Sequence, residues 1–289
     1  MQLRLFDISS FPTNTTEPAV SLTLLEKLEQ VEMTTETRIS SQDNEHCIQQ
    51  EKLYKGAFTL LKNTLDAFEA HYELQVNDFN LDYSKRGYID SHDDIRHIKT
   101  RIDSNYEKFV SRMVSYFEKE YTVTLDANCI IEKYTPDSID YSKVVEEIFE
   151  QLGGLNFSEK AEQELIANSR SLVRNKSNIK ITKSKITIAY LVNWSTGWNG
   201  KYRLGYSNNN IEKLFEALSH FENKETKMLE PFKVHFELLK KGEEEYDIFK
   251  KYDYSLSKFA GIRFYKNLKV EIFFMSNEDA DTFNSSYLL

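Results

Sequence analysis

Cysteine, proline and glycine are scarce in this chain of 289 residues, at two, four and nine respectively. Cys47 and Cys129 permit one bridge at most and cannot form an all-cysteine zinc site, which excludes a disulfide scaffold. So few glycines leave little material for phosphate-cradling loops. No P-loop, dinucleotide fingerprint, zinc-protease motif or serine elbow occurs, and the isolated pair Gly153-Gly154 reads as a helix stop. No apolar run approaches the roughly 20 residues that cross a bilayer. The opening MQLRLFDISS also lacks a basic leader with an apolar core behind it. The expectation is a soluble cytoplasmic protein without membrane attachment, cofactor or structural metal. With 40% hydrophobic and 29% charged residues, it has enough apolar material for one large core or two ordinary ones.

What is present reads as α+β: a long-helix N-terminal part, then an antiparallel sheet packed by helices. Residues 1–23, with Pro12 and Pro18 around a Thr-rich stretch, read as a flexible arm. Residues 24–176 read as a mainly helical domain. Its elements are a short amphipathic helix from Leu24 to Val31, a long one from about Glu45 to Val76, and a third from Ser91 or Asp90 to about Glu120. Two shorter helices follow, Tyr141 to Leu152 and Ser158 to Val173, after a stretch from Tyr121 that suits a short strand or an extended connection. Residues 177–289 read as an α+β domain. Here the period changes to two at Ile179, and the apolar run Ile186 to Trp194 predicts a covered strand. A turn at Asn199-Gly200, helices near 209–221 and 230–240, a hairpin across 262–274 and a closing helix near 278–287 complete the pattern.

Charge is distributed unevenly. The net formal charge is -9, yet no Asp or Glu lies between Leu165 and Ile211. That window carries Arg170, Arg174, Lys176, Lys180, Lys183, Lys185, Lys201 and Arg203, together with both tryptophans, Trp194 and Trp198. Cations pair with phosphates and exposed aromatics stack on bases, so these ten residues are the candidate nucleic-acid-binding set. The same composition fits a solvated sheet edge, ordinary packing of the aromatics, or a face for an acidic partner protein. An interaction module without nucleic-acid affinity, self-associating through its long helices, is the alternative. It predicts an exposed apolar stripe.

The densest polar cluster is Asp90, His92, Asp93, Asp94 and His97. Asp93 and His97 share a helical face and suggest two ligands of a nuclease-type metal, but acidic residues in a first helical turn also complement the free amides there. Neither cysteine has a context that activates it, so no catalytic residue is assigned.

Two segments, NGKYRLGYSNNNIEKLFEALSHFEN and GIRFYKNLKVEIFFMSNEDADTFN, resemble an uncharacterised domain family of phages and mobile elements. That family is sometimes fused to or found beside adenine-specific DNA methyltransferases. Its lysine-asparagine-glycine turn between strands matches Phe264, Tyr265, Lys266 and Asn267, with Leu268 where the glycine stands and Glu271 where a histidine stands. The resemblance implies a phage or mobile-element setting, with the helical half as an adaptor. The chain lacks the catalytic tetrapeptide and glycine-rich cofactor loop of such methyltransferases.

Overall fold

The computed structural model describes residues 38–82, 91–173, 175–197, 200–205, 209–242 and 247–289. The arm and the short helix read before residue 32 lie outside them. The chain divides into two compact units, residues 1–46 and 47–289. In the first, Ser40 begins helix α1 (Ser41–Glu73) with a reciprocal cap: its hydroxyl accepts from the Asp43 amide at 3.1 Å, and the Asp43 carboxylate accepts from the Ser40 amide at 3.1 Å.

In the second unit α1 runs on through a π turn to Asp78 and lies antiparallel to α2 (Ser91–Tyr121). Tyr54 stacks on Phe109 with centroids 4.6 Å apart, and Lys99 reaches Glu69 at 2.8 Å. The stripe Ile102, Tyr106, Phe109, Val110, Met113 and Phe117 of α2 is buried because it recurs at three and four residues. The β-branched stretch after Tyr121 forms no strand but a short connection, turning at Thr122, to Asp126, whose carboxylate caps the short helix α3 (Ala127–Lys133) by accepting from the Asn128 amide. The Tyr106 hydroxyl donates to the carbonyls of Ile131 and Tyr134, each at 3.1 Å, and pins that helix end to α2. Helices α4 (Tyr141–Gln151) and α5 (Phe157–Arg170) follow, capped by Asp140 and by an Asn156–Glu159 capping box.

The remainder is a five-stranded antiparallel sheet in the order β1-β2-β7-β6-β5, with β1 at Ile179–Thr182, β2 at Lys185–Ile188, β5 at Tyr252–Asp253, β6 at Phe259–Phe264 and β7 at Val270–Phe274. A separate ribbon pairs β3 (Trp194–Thr196) with β4 (Tyr202–Leu204). The strand expected across Ile186–Trp194 is therefore cut short: β2 ends at Ile188, and Trp194 opens β3. The chain turns back at Lys183-Ser184 and leaves the sheet after Ile188. Helices α6 (Asn210–Asn223), α7 (Glu230–Lys241) and α8 (Asn277–Phe283) supply Phe215, Phe232 and Phe283 to a core shared with Ile186, Ile188, Ile262, Phe264, Val270 and Ile272. At roughly 1.5–3 kcal/mol for each large side chain buried, this cluster is the main source of stability in the sheet region. It also takes Leu165 and Leu172 from α5 and the turn after it, upstream of the boundary read near residue 176. Eight helices among the described residues, one five-stranded sheet and one ribbon make the expected α+β fold.

Candidate nucleic-acid interface

Strand alternation sends one set of residues into the core and the other to the opposite face of the sheet. With Ile186, Ile188, Ile262, Phe264, Val270, Ile272 and Phe274 inside, register places Lys180 and Thr182 of β1, Lys185 and Thr187 of β2, and Glu271 and Phe273 of β7 on the opposite face. Gly261 and Arg263 of β6 and Asp253 of β5 join them there. No core residue belongs to this face. Lys180, Thr182, Arg263 and Asp253 are exposed, and Lys185, Thr187 and Phe273 are half-buried.

Glu271 is the hub of the face. Its carboxylate is 8% exposed and accepts from Tyr265 Oη at 2.7 Å, Lys185 Nζ at 3.1 Å and Lys269 Nζ at 3.3 Å. Burial opposes its ionisation, but these three donors outweigh burial and hold its carboxyl below the ordinary value. Burial first, and then the bond to Glu271 and its charge, push the Tyr265 hydroxyl upward. Two aromatic rings sit among the cations. The ring of Phe273 has Lys251 Nζ 4.8 Å and Lys185 Nζ 5.8 Å from its centre, and that of Tyr265 has Lys269 Nζ at 4.0 Å and the Arg263 guanidinium at 5.0 Å.

Gly261 makes room for this arrangement. A Cβ there would lie 2.7 Å from the Tyr252 carbonyl oxygen and 3.0 Å from Lys251 Cε, so the missing side chain is what lets Lys251 lie across β6 toward Phe273. Among the described residues, Lys180, Lys185, Lys251, Arg263 and Lys269 stand against Asp253, which pairs with Lys251, and Glu271, so the face is basic on a chain whose net charge is -9.

No protein family, curated protein or solved structure matches the chain.

Of the ten residues singled out by composition, the sheet brings together Lys180 and Lys185, with Lys183 at the tip of their hairpin. Arg170 ends α5 and Lys176 lies on the turn before β1, both exposed and outside the sheet. Lys201 and Arg203 are half-buried beside or within β4 of the ribbon. Trp194 is committed to packing: its Nε1 donates to the Tyr265 carbonyl at 3.0 Å and its ring meets Phe249 and Phe264 edge-on at 5.6 and 5.7 Å. Arg174 and Trp198 lie outside the described residues.

Composition did not single out Lys251, Arg263, Tyr265, Lys269, Glu271 and Phe273, because the acid-free window ends at Ile211. Their signal is the period-two pattern, in which Arg263 alternates with Ile262 and Phe264, while Glu271 and Phe273 alternate with Val270, Ile272 and Phe274.

The polar cluster at the start of α2 stays dispersed. Asp93 pairs with Arg96 at 3.1 Å and lies 3.8 Å from His92, and Asp90 is outside the described residues. Among the described residues no group of three or more His, Cys, Asp or Glu side chains converges to hold a metal. Among them, too, no helix is long and apolar enough to cross a membrane.

Proposed function

We propose that the chain is a non-catalytic nucleic-acid-binding protein whose ligand is a single strand laid across the open face of the sheet. The observation that carries this reading is the placement of Phe273 and Tyr265 among Lys180, Lys185, Lys251, Arg263 and Lys269 on a face that the core leaves uncovered. Duplex grooves need a protruding helix or ribbon to enter them, whereas a shallow sheet with aromatic platforms accepts unstacked bases. The lysines over the two rings have long flexible stems. On binding they would move from ring to phosphate as a base takes their place. A phage or mobile-element setting for this activity rests on the sequence resemblance alone.

The test is binding of labelled single-stranded RNA, single-stranded DNA and duplex DNA at about 50 and about 200 mM salt. Single strands should bind best, and affinity should fall steeply with salt because each phosphate contact releases counterions. Phe273→Ala should cost about 1–3 kcal/mol of binding through lost stacking, and Lys185→Glu with Arg263→Glu should reduce both affinity and salt dependence. Salt-independent binding, or equal binding by the Phe273→Ala variant, would overturn the assignment.

A further inference from the structure

Helix α1 has two apolar sides. Tyr54 and Leu65 are buried, and Phe58, Leu61 and Phe68 are half-buried along the same side. A second series lies roughly opposite on the helix. It places Leu53, Leu60, Ala67 and Leu74 at every seventh residue, and Gly56, Asn63 and Ala70 three residues after the first three of these. This is the spacing of coiled-coil a and d positions. Every residue in the series is exposed, with Leu53 at 66%, Leu60 at 68% and Leu74 at 41%. A Cβ built on Gly56 meets nothing within 4 Å, so among the described residues nothing covers the seam there.

We propose that the seam pairs with the same seam of a second copy of the chain, with the two α1 helices antiparallel. Antiparallel pairing sets each a position against a d position of the other helix. The register that puts Leu53 opposite Ala70 also puts Gly56 opposite Ala67 and Leu60 opposite Asn63. Leu53 and Leu60 each then meet a smaller side chain, Gly56 and Ala67 let the backbones approach between them, and a polar residue near the two-fold axis fixes the register.

Charge selects the same arrangement. Lys52 and Glu73, both exposed, flank the seam near its two ends, and the antiparallel register brings each beside the other on the second copy, twice per dimer. In the parallel arrangement Lys52 faces Ala57 instead. Other charges near the seam are already engaged within the chain: Lys55 with Glu51, Lys62 with Asp66, and Glu69 with Lys99.

Sedimentation of the full chain from about 1 to about 100 µM should show a monomer–dimer equilibrium. Leu53→Glu with Leu60→Glu should give a monomer whose helical content is unchanged and whose melting temperature matches that of the unaltered chain at concentrations where that chain is monomeric, since both side chains are already exposed there. Lys52→Glu should weaken dimerisation about tenfold, and adding Glu73→Lys should restore it. In a Cys129→Ser background, a chain carrying both Leu53→Cys and Ala70→Cys should cross-link between copies, and Leu53→Cys alone should not. A chain that stays monomeric throughout, a dimer indifferent to both glutamates, or cross-linking by Leu53→Cys alone would each overturn the proposal. So would a monomer that dimerises only when residues before 38 are removed, because the occupant would then be the chain's own N-terminal segment.

Discussion

Glu271 stands where a carboxylate ought to repel a phosphate-bearing ligand, yet it organises the cations around it. Its lowered pKa has a stability consequence. The contribution of the ionised form is complete above the ordinary value of 4.5 and is lost as pH falls through the lower folded value. Glu271→Gln should therefore cost about 1 kcal/mol at pH 7, a gap that closes in acid, as urea melts at several pH values would show. An equal gap at every pH would mean the carboxylate anchors nothing. His235 is the second sensitive residue. It is fully buried, stacks on Tyr252 at 4.1 Å and pairs with the Tyr254 hydroxyl, and burial lowers its pKa from 6.5 to about 3. The unfolded chain takes up a proton below 6.5 that the fold refuses, so this contribution is intact above that value. It falls at up to about 1.4 kcal/mol per pH unit toward 3. His235→Gln should flatten that part of the acid limb in melting temperature against pH. Leu268 shows a different compromise. Standing where the resemblance has glycine, it holds φ at 66° while its side chain packs against the core and its carbonyl accepts from the Leu191 amide at 3.1 Å.

Among the elements, the helices were the most legible. α1, α2, α4, α6 and α7 fall within a few residues of their expected bounds, because a 3.6-residue apolar period is a local signal, joined at α1 and α4 by a capping side chain. The turn at Lys183 was not legible. Lysine carries no turn signature, and the strand pattern runs through it, yet its φ is 52°. A left-handed conformation costs a non-glycine residue about 1 kcal/mol, less for asparagine. Lys183→Asn should accordingly stabilise the β1–β2 hairpin by roughly 0.5–1 kcal/mol while weakening the proposed nucleic-acid binding a few-fold through the lost charge. Denaturant melts and salt titrations on the same variant would separate the two effects. A variant both less stable and equally tight in binding would show that the lysine serves neither role.

Across the larger unit, α5 belongs energetically with the sheet. Leu165 and Leu172 are 8% exposed within the same core as Ile186 and Ile188. A fragment of residues 177–289 should consequently lose several kcal/mol relative to one of residues 155–289, since two leucine sites in the core are emptied. Urea unfolding of the two fragments measures the difference, and equal midpoints would place the boundary at 176 after all.

Sequence alone determined the class of fold, the long helices, and the fact that basic residues concentrate apart from the acidic remainder, because periodicity and charge are properties of neighbours along the chain. The candidate face was only partly visible in this way: Lys180, Lys183 and Lys185 are close in sequence, whereas Lys251, Arg263, Tyr265, Lys269, Glu271 and Phe273 come from β6, β7 and the residues beside β5, β6 and β7, far along the chain. Tertiary structure decided that β7 lies between β2 and β6, and with it that Glu271 meets Lys185 and that Phe273 faces outward. It also decided that Trp194 turns inward to the Tyr265 carbonyl. Strand order and side-chain burial arise from contacts between distant segments competing for one core, and no local pattern in the chain encodes the outcome of that competition.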